Sequence, residues 1–338
     1  LRYTGLRAAV VGDIALDRYL HIDPGLAETS IETGLPVRNV VAVRPQAGAG
    51  GNVLANLAAL RPAALAAVGF CGDDAEGFEL RRAMAAIGVD LRHFLARPDR
   101  MTFTYTKPLL MHPGRPPEEL SRLDFRSRTP TPAGLEDEII AHLASAAAEA
   151  DVVIAMDQVP EPASGVLTPR VKAALADLAR AQPQKVFIAD SRTCIGDFRG
   201  VRIKTNAAEL ARHFGASEEG ADLAVLAARL SRELGQDVFV TLAAQGILVA
   251  PAGEERARGL APAAPSGTMH VPGIPLEPPL DVTGAGDAVL AHIAMALAAG
   301  AAPAEAAELG NLAGAVVVRK LGTTGTATVE ELMTLLHV

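Results

Sequence analysis

Short apolar runs alternate with longer helical patterns along most of the chain, and this alternation restricts the fold more than any other feature. Runs at Ala8–Val11, Leu65–Val68, Val152–Met156, Val186–Ala189, Val238–Leu242 and Gly246–Ala250 have the length of buried strands. Helical patterns cover Gly51–Leu60, Ala75–Ile87, Leu135–Ala150, Arg170–Ala181, Leu223–Leu234, Gly284–Ala299 and Pro303–Val318. The last opens on Pro303, whose missing N–H suits a first helical position. Strand–helix alternation predicts an α/β fold, a doubly wound and mainly parallel sheet with helices on both faces. We read residues 1–338 as one domain. Ligands of such folds sit at the carboxyl ends of the strands.

Two segments break the alternation. Residues 19–43 and 101–125 are polar, proline-containing and β-leaning, as in MTFTYTKPLL. They predict a small sheet projecting from the main domain, either a lid or an edge extension. VPGIPLEPPL has four prolines and cannot be a central strand.

Composition narrows the partners. The chain has 31 basic and 39 acidic residues and a formal charge of −8, which argues against nucleic acid. An anionic substrate would need a local basic site. Neither of the two cysteines, Cys71 and Cys194, has a CxxC neighbour, and the histidines show no ligand spacing. No uncharged apolar run reaches about 18 residues, and no signal peptide is visible, so we expect no membrane contact and a cytoplasmic location.

The residues after each strand carry the chemistry. VVGDIALDRYL places Asp13 and Asp17 after the first strand, where carboxylates can accept from sugar hydroxyls. The stretch lacks G-x-G-x-x-G, against a dinucleotide-binding oxidoreductase. AGAGGN brings small residues around Gly48 to Asn52, an amide that is either a ligand contact or an N-cap. FIADSRT ends a strand with Asp190 and Arg192. IKTNAAEL sets Asn206 and Glu209 three apart at a helix start, as orienters of Mg²⁺ waters or as a capping box. VTLAAQG puts Thr241 at a strand end and Gly246 at a tight turn. DVTGAGDAV opens an alanine-rich helix with Gly284, Ala285 and Gly286. It is either an anion cradle of unpaired N–H groups or a glycine turn capped by Thr283 or Asp287.

In this order, the set resembles the ribokinase-like, or PfkB, family of small-molecule kinases over nearly the whole chain. DVTGAGD is similar to the family signature at its catalytic aspartate, and GAGGN, VGFCGDD, TNAAE and TLAAQG follow in the family's order and spacing. Through GDIALDRYL, SIETGLPV, RLDF, DFRG, DVTGAGD and VVVRKLGT the chain most resembles the heptose-7-phosphate kinase subgroup. Three positions depart. The family's paired glycine is Gly48–Ala49, the first glycine of the nucleotide turn is Ala243, and the lysine expected shortly after Asp157 is missing.

The resemblance implies a ribokinase-like fold and ATP-dependent transfer to a sugar hydroxyl. A heptose 7-phosphate is the expected acceptor. Another sugar, a nucleoside, or a binding relative without turnover are the alternatives. It implies that Asp287 takes the hydroxyl proton and that N–H groups of Gly284, Ala285 and Gly286 hold the transferring phosphoryl group. The helix N-terminus is expected to keep the Asp287 pKa low. Asp17 and Asn52 would hold the sugar, with Asp13, Gly48 and Asp157 beside it and Lys107 or Arg192 on its phosphate. Lys204, Asn206, Glu209, Thr241, Gly246, Thr283 and Asn311 would line the nucleotide. Asn206 and Glu209 would reach Mg²⁺ through water, and K⁺ would lie near Asp281 and Thr283, with the loop after Lys320. Pairing of lids between two chains implies a homodimer.

Overall fold

The computed structural model describes residues 3–252, 267–322 and 324–336. A nine-stranded sheet runs through it. Its order is Met269–Pro272, Gly246–Ala250, Val238–Thr241, Arg202–Asn206, Val186–Ser191, Val152–Asp157, Arg7–Gly12, Ala64–Gly72 and Asp90–Arg97. The pairs from Val238–Thr241 to Asp90–Arg97 are parallel, and the first two strands are added antiparallel.

Both faces are covered, which is why the central strands read as unbroken apolar runs. Val10, Ile154 and Ile188 point into a core shared with helices Gly50–Ala59, Ala75–Ala86, Ala285–Ala298 and Pro303–Val317. Their neighbours Val11, Ala155 and Ala189 point into a second core with helices Ala133–Glu149, Pro169–Ala181, Ala207–His213 and Leu223–Leu234. Each buried Val, Leu or Ile contributes about 1.5–3 kcal/mol. The six strands and seven helices expected from the sequence are all present, with ends shifted by at most two residues at most of them.

Three sheet strands were not expected. Asp90–Arg97 and Met269–Pro272 are the two edges and mix charged or polar residues with apolar ones. Arg202–Asn206 has a single large aliphatic residue, Ile203. The proline-rich segment enters the sheet only at its outermost strand, through Pro272.

A second sheet projects from the carboxyl ends of the central strands, in the order Leu123–Phe125, Thr104–Leu110, Ile14–Ile22 and Val40–Ala49, with Glu118–Glu119 paired to Thr104–Leu110. It starts at Ile14 rather than at residue 19 and runs on to Ala49 rather than 43. Ile14 and Leu16 are buried, so the root of this sheet looks like core in the sequence. Arg18 docks one face on helix Ala75–Ala86, 3.0 Å from Glu79 and 3.7 Å from Glu76. Asp17 and Tyr19 therefore lie on the other face.

Candidate active site

The parallel register aligns the strand ends. Gly12 pairs with Met156, Asp157 with Ser191, and Asn206 with Thr241. The central strand Arg7–Gly12 has Ala64–Gly72 on one side and Val152–Asp157 on the other, so the chain order reverses there. A doubly wound sheet opens its ligand crevice at such a point.

Helix Ala285–Ala298 points its N-terminus at this crevice. Gly284 is its N-cap, with φ 78°, and no side chain caps it. The capped-turn reading of Thr283 or Asp287 is thereby corrected. Thr283 instead donates its N–H to Asp281 Oδ1 at 3.0 Å. The Ala285 N–H turns back to the Val282 carbonyl at 3.2 Å. Those of Gly284 and Gly286 have no partner among the described residues. Lys204 lies beneath: a Cβ on Gly286 would stand 3.0 Å from its ammonium. Uncapped N–H groups above a buried cation form an anion cradle.

Lys204 Nζ is 2.6 Å from Asp190 Oδ2, with both side chains less than a tenth exposed. Burial pulls the Lys204 pKa down, but Asp190, Asp287 and Glu209 outweigh it and the net shift is upward. Asp287 sits on the first helical turn, and its Oδ2 accepts from Asn52 Nδ2 at 3.0 Å. Burial of the carboxylate, with Asp190 adding to it, pushes its pKa up to about 6, against the pull of Lys204, Asn52 and Arg192. The low value expected from the helix N-terminus is reversed: desolvation and a second carboxylate outweigh the dipole. The value suits a group that takes a proton near neutral pH.

Asn52 lies three residues into helix Gly50–Ala59, so the N-cap alternative does not hold. Its Nδ2 serves Asp287, while its buried Oδ1 has no partner among the described residues. Such an orphan acceptor matches a ligand donor. Gly48 is where the backbone passes Asp17, whose Oδ2 would collide with any Cβ placed there.

Other residues depart from expectation. Asp13 is buried and accepts the N–H groups of Gln158, Val159 and Val166 at 2.8–2.9 Å, so it anchors loop 158–166 rather than facing the crevice. Burial first, with Asp157 adding, pushes its pKa up to about 6. Lys107 is no free cation, because its Nζ is 2.9 Å from Asp17 Oδ1. Asp157 meets Ser191 Oγ and Lys172 Nζ, each at 2.8 Å. The sequence reading missed Lys172. Its signal was a lysine on the stripe Lys172, Leu175, Ala179, the buried face of its helix. Arg192 is exposed and makes no ion pair among the described residues; the nearby Asp190 and Asp197 face Lys204 and Lys172 instead.

On the nucleotide side, Asn206 and Glu209 make a full capping box. Glu209 Oε2 also accepts from Thr205 Oγ1, and burial, then Asp190, raises its pKa. Glu209 Oε1 makes no hydrogen bond among the described residues, and no cluster of three metal-ligating side chains exists among them. Thr241 Oγ1 donates to the Thr205 carbonyl at 3.3 Å, and Asn311 holds the carbonyls of Val271 and Pro272. Gly246 takes φ 102° at the turn between two strands. The Thr283 hydroxyl first, then the N–H groups of Thr283 and Gly322, hold the Asp281 pKa low, and the Gly322 bond ties the cradle to the loop after Lys320.

Ala49 and Ala243, the two departures from the glycine pattern, both keep a positive φ of 51°. Ala49 has ψ −121°, a region that an L side chain rarely enters. Such strain costs about 1–3 kcal/mol, and glycine returns roughly 0.4–1 kcal/mol of chain entropy to the unfolded state. Ala49→Gly is therefore expected to raise stability by about 1 kcal/mol in urea melts, and Ala243→Gly by less. A loss in both would show that neither backbone is strained.

The pfkB family carbohydrate kinase model matches residues 200–329. The bifunctional protein HldE of Azorhizobium caulinodans is 34% identical over 318 residues, 93% of this chain and 61% of the relative. That of Citrifermentans bemidjiense is 31% identical over 331 residues, 96% of this chain and 62% of the relative. The chain thus spans about three-fifths of the length of these curated relatives. Arabidopsis thaliana ribokinase, solved with ribose and ATP, superposes with a TM-score of 0.70 at 18% identity, covering 99% of each chain. Cryptococcus neoformans ribokinase, solved with ADP, gives 0.64 at 18% identity, with 98% of this chain and 100% of that one covered. At such identity the structures establish the ribokinase-like fold alone, while in sequence the chain resembles the pfkB family of carbohydrate kinases over residues 200–329 and the HldE proteins over nearly its whole length.

Proposed function

We propose that the chain transfers the γ-phosphoryl group of ATP to a sugar hydroxyl, and that the acceptor is a heptose 7-phosphate attacked at its anomeric hydroxyl. The observation that carries the kinase reading is Asp287, with its raised pKa, held against Asn52 at the mouth of an uncapped helix that has Lys204 beneath it. The hydroxyl oxygen forms a bond to the γ-phosphorus, the bond from that phosphorus to the ADP oxygen breaks, and the hydroxyl proton passes to an Asp287 oxygen. The transition state is loose, so the proton leaves late and a base of modest strength suffices. The free N–H groups of Gly284 and Gly286 and the Lys204 ammonium meet charge on the phosphoryl oxygens. Asp17 and the orphan Asn52 Oδ1 receive sugar hydroxyls. Mg²⁺, reached through Glu209 and Asn206, would neutralise the nucleotide phosphates. K⁺ would fit near the Asp281 turn.

The acceptor assignment leans on the similarity to HldE proteins. We further propose a homodimer through the lid, whose outer strand exposes Val40, Val41 and Val43 along an unpaired edge.

ADP release over a panel of sugars and sugar phosphates tests the reaction, and the heptose 7-phosphate is expected to give the highest kcat/KM. Mg-ATP at 100 times its Kd is expected to stabilise the fold by about 2.7 kcal/mol, seen as a rise in Tm, with no rise for NAD. The reverse pattern would refute the nucleotide site.

A further inference from the structure

The lid face that carries Asp17 holds a cation that no carboxylate among the described residues neutralises. In the strand register, Asp17 stands opposite Gln46 on one side and Tyr105 on the other, and Tyr19 stands opposite Arg44 and Lys107. Residues two apart and residues directly opposite share a face, so these six side chains form one patch. Their contacts agree. The Arg44 guanidinium lies 3.9 Å from the centre of the Tyr19 ring and the Lys107 ammonium 4.9 Å from it. Lys107 also reaches Asp17 and, at 3.4 Å, the Tyr19 hydroxyl. Arg122 on the neighbouring strand segment closes on Asp124 with two bonds of 2.6 and 2.9 Å. Arg44 has only an amide, Gln46 Oε1 at 3.0 Å, and no ion pair among the described residues. A half-buried guanidinium, stacked and oriented without a counter-ion, has lost hydration and rotamer freedom and gained little in return.

Resting on the kinase reading above, with Asp17 as a sugar contact, we propose that Arg44 and Lys107 form the subsite for the terminal phosphate of the acceptor. Tyr19 follows Asp17 by two residues, about 6–7 Å further along the strand. A sugar whose ring hydroxyls meet Asp17 has its terminal carbon about that far away. The Arg44 guanidinium presents paired N–H groups that match two phosphate oxygens, and stacking on Tyr19 leaves its edge open. Lys107 adds a second charge that it shares with Asp17, so sugar and phosphate are sensed by coupled groups. Arg192 acts on Asp287 from the strand-end wall and is left for the nucleotide phosphates.

The experiment compares kcat/KM for a heptose 7-phosphate with that for the same heptose lacking phosphate, in wild type, Arg44→Ala and Arg44→Glu, with Tm and the Mg-ATP shift as controls on folding and the nucleotide site. Wild type is expected to prefer the phosphate. That preference should shrink by about 10- to 100-fold in Arg44→Ala, as for a lost charged hydrogen bond, and reverse in Arg44→Glu. Both variants should keep the wild-type Tm and the Mg-ATP shift. Preference that survives both substitutions overturns the subsite, as does equal use of the two sugars by wild type. Absence of ADP release with every sugar refutes the kinase reading instead, and the subsite with it.

Discussion

Asp287→Asn is expected to lower kcat by about 10²- to 10⁴-fold, the usual worth of a positioned general base, with the Mg-ATP shift in Tm retained. The amide keeps the acceptor that Asn52 binds and loses only the capacity to take the hydroxyl proton. Near-normal turnover would remove Asp287 from the mechanism. The pH dependence follows from the same group. The acid limb of kcat/KM in wild type should fall near pH 6, where the carboxylate of the free enzyme becomes protonated.

Stability carries the opposite sign. The folded pKa of Asp287, about 6, lies above its unfolded value of about 3.9, so folding takes up a proton between these values. The stability this gives is complete below about pH 4 and lost as pH rises through 6. Asp287→Asn should therefore raise Tm at pH 7–8 and leave it nearly unchanged at pH 4. An equal gain at both values would mean that the charge is not what strains the site.

The contrast between what the sequence discloses and what it hides has a physical basis. Central strands covered on both faces must be apolar at every position, so Val152–Met156 and Val186–Ala189 stand out as runs, whereas the edge Asp90–Arg97 needs apolar residues on one face only. The cradle is legible because a helix N-terminus that admits a ligand needs small residues, and Gly284–Ala285–Gly286 are small. Pairings between distant segments leave no local mark. Asp13 resembles a ligand contact until it meets the N–H of Val166, 153 residues away, and Lys107 looks free until the strands of the second sheet bring it to Asp17. The raised pKa of Asp287 is hidden for the same reason. The sequence around it offers only a helix dipole, while the burial that raises it and the added charge of Asp190, from strand Val186–Ser191, come from distant segments.

Lys204→Met is the second large effect, and it falls on the fold. Its ammonium is buried under Gly286 and bonded to Asp190, with the side chains 7% and 8% exposed. Removing one partner of a buried pair leaves the other charge unpaired, which costs about 3–5 kcal/mol. The cost here includes a stranded Asp190 carboxylate beside Asp287, so the Asp287 pKa should climb and the acid limb of kcat/KM should move to higher pH. Unfolding in urea reads the first effect and the pH profile the second. A double substitution, Lys204→Met with Asp190→Asn, separates the two roles of the pair. Removing both charges should restore most of the stability, since neither partner is then left as an unpaired buried charge. It should not restore kcat, because the cradle then lacks the cation under its N–H groups. Recovery of turnover along with stability would reduce Lys204 to a neutraliser of Asp190. A loss of less than about 1 kcal/mol in the single variant, the range of a solvated surface pair, would show that water reaches the two side chains.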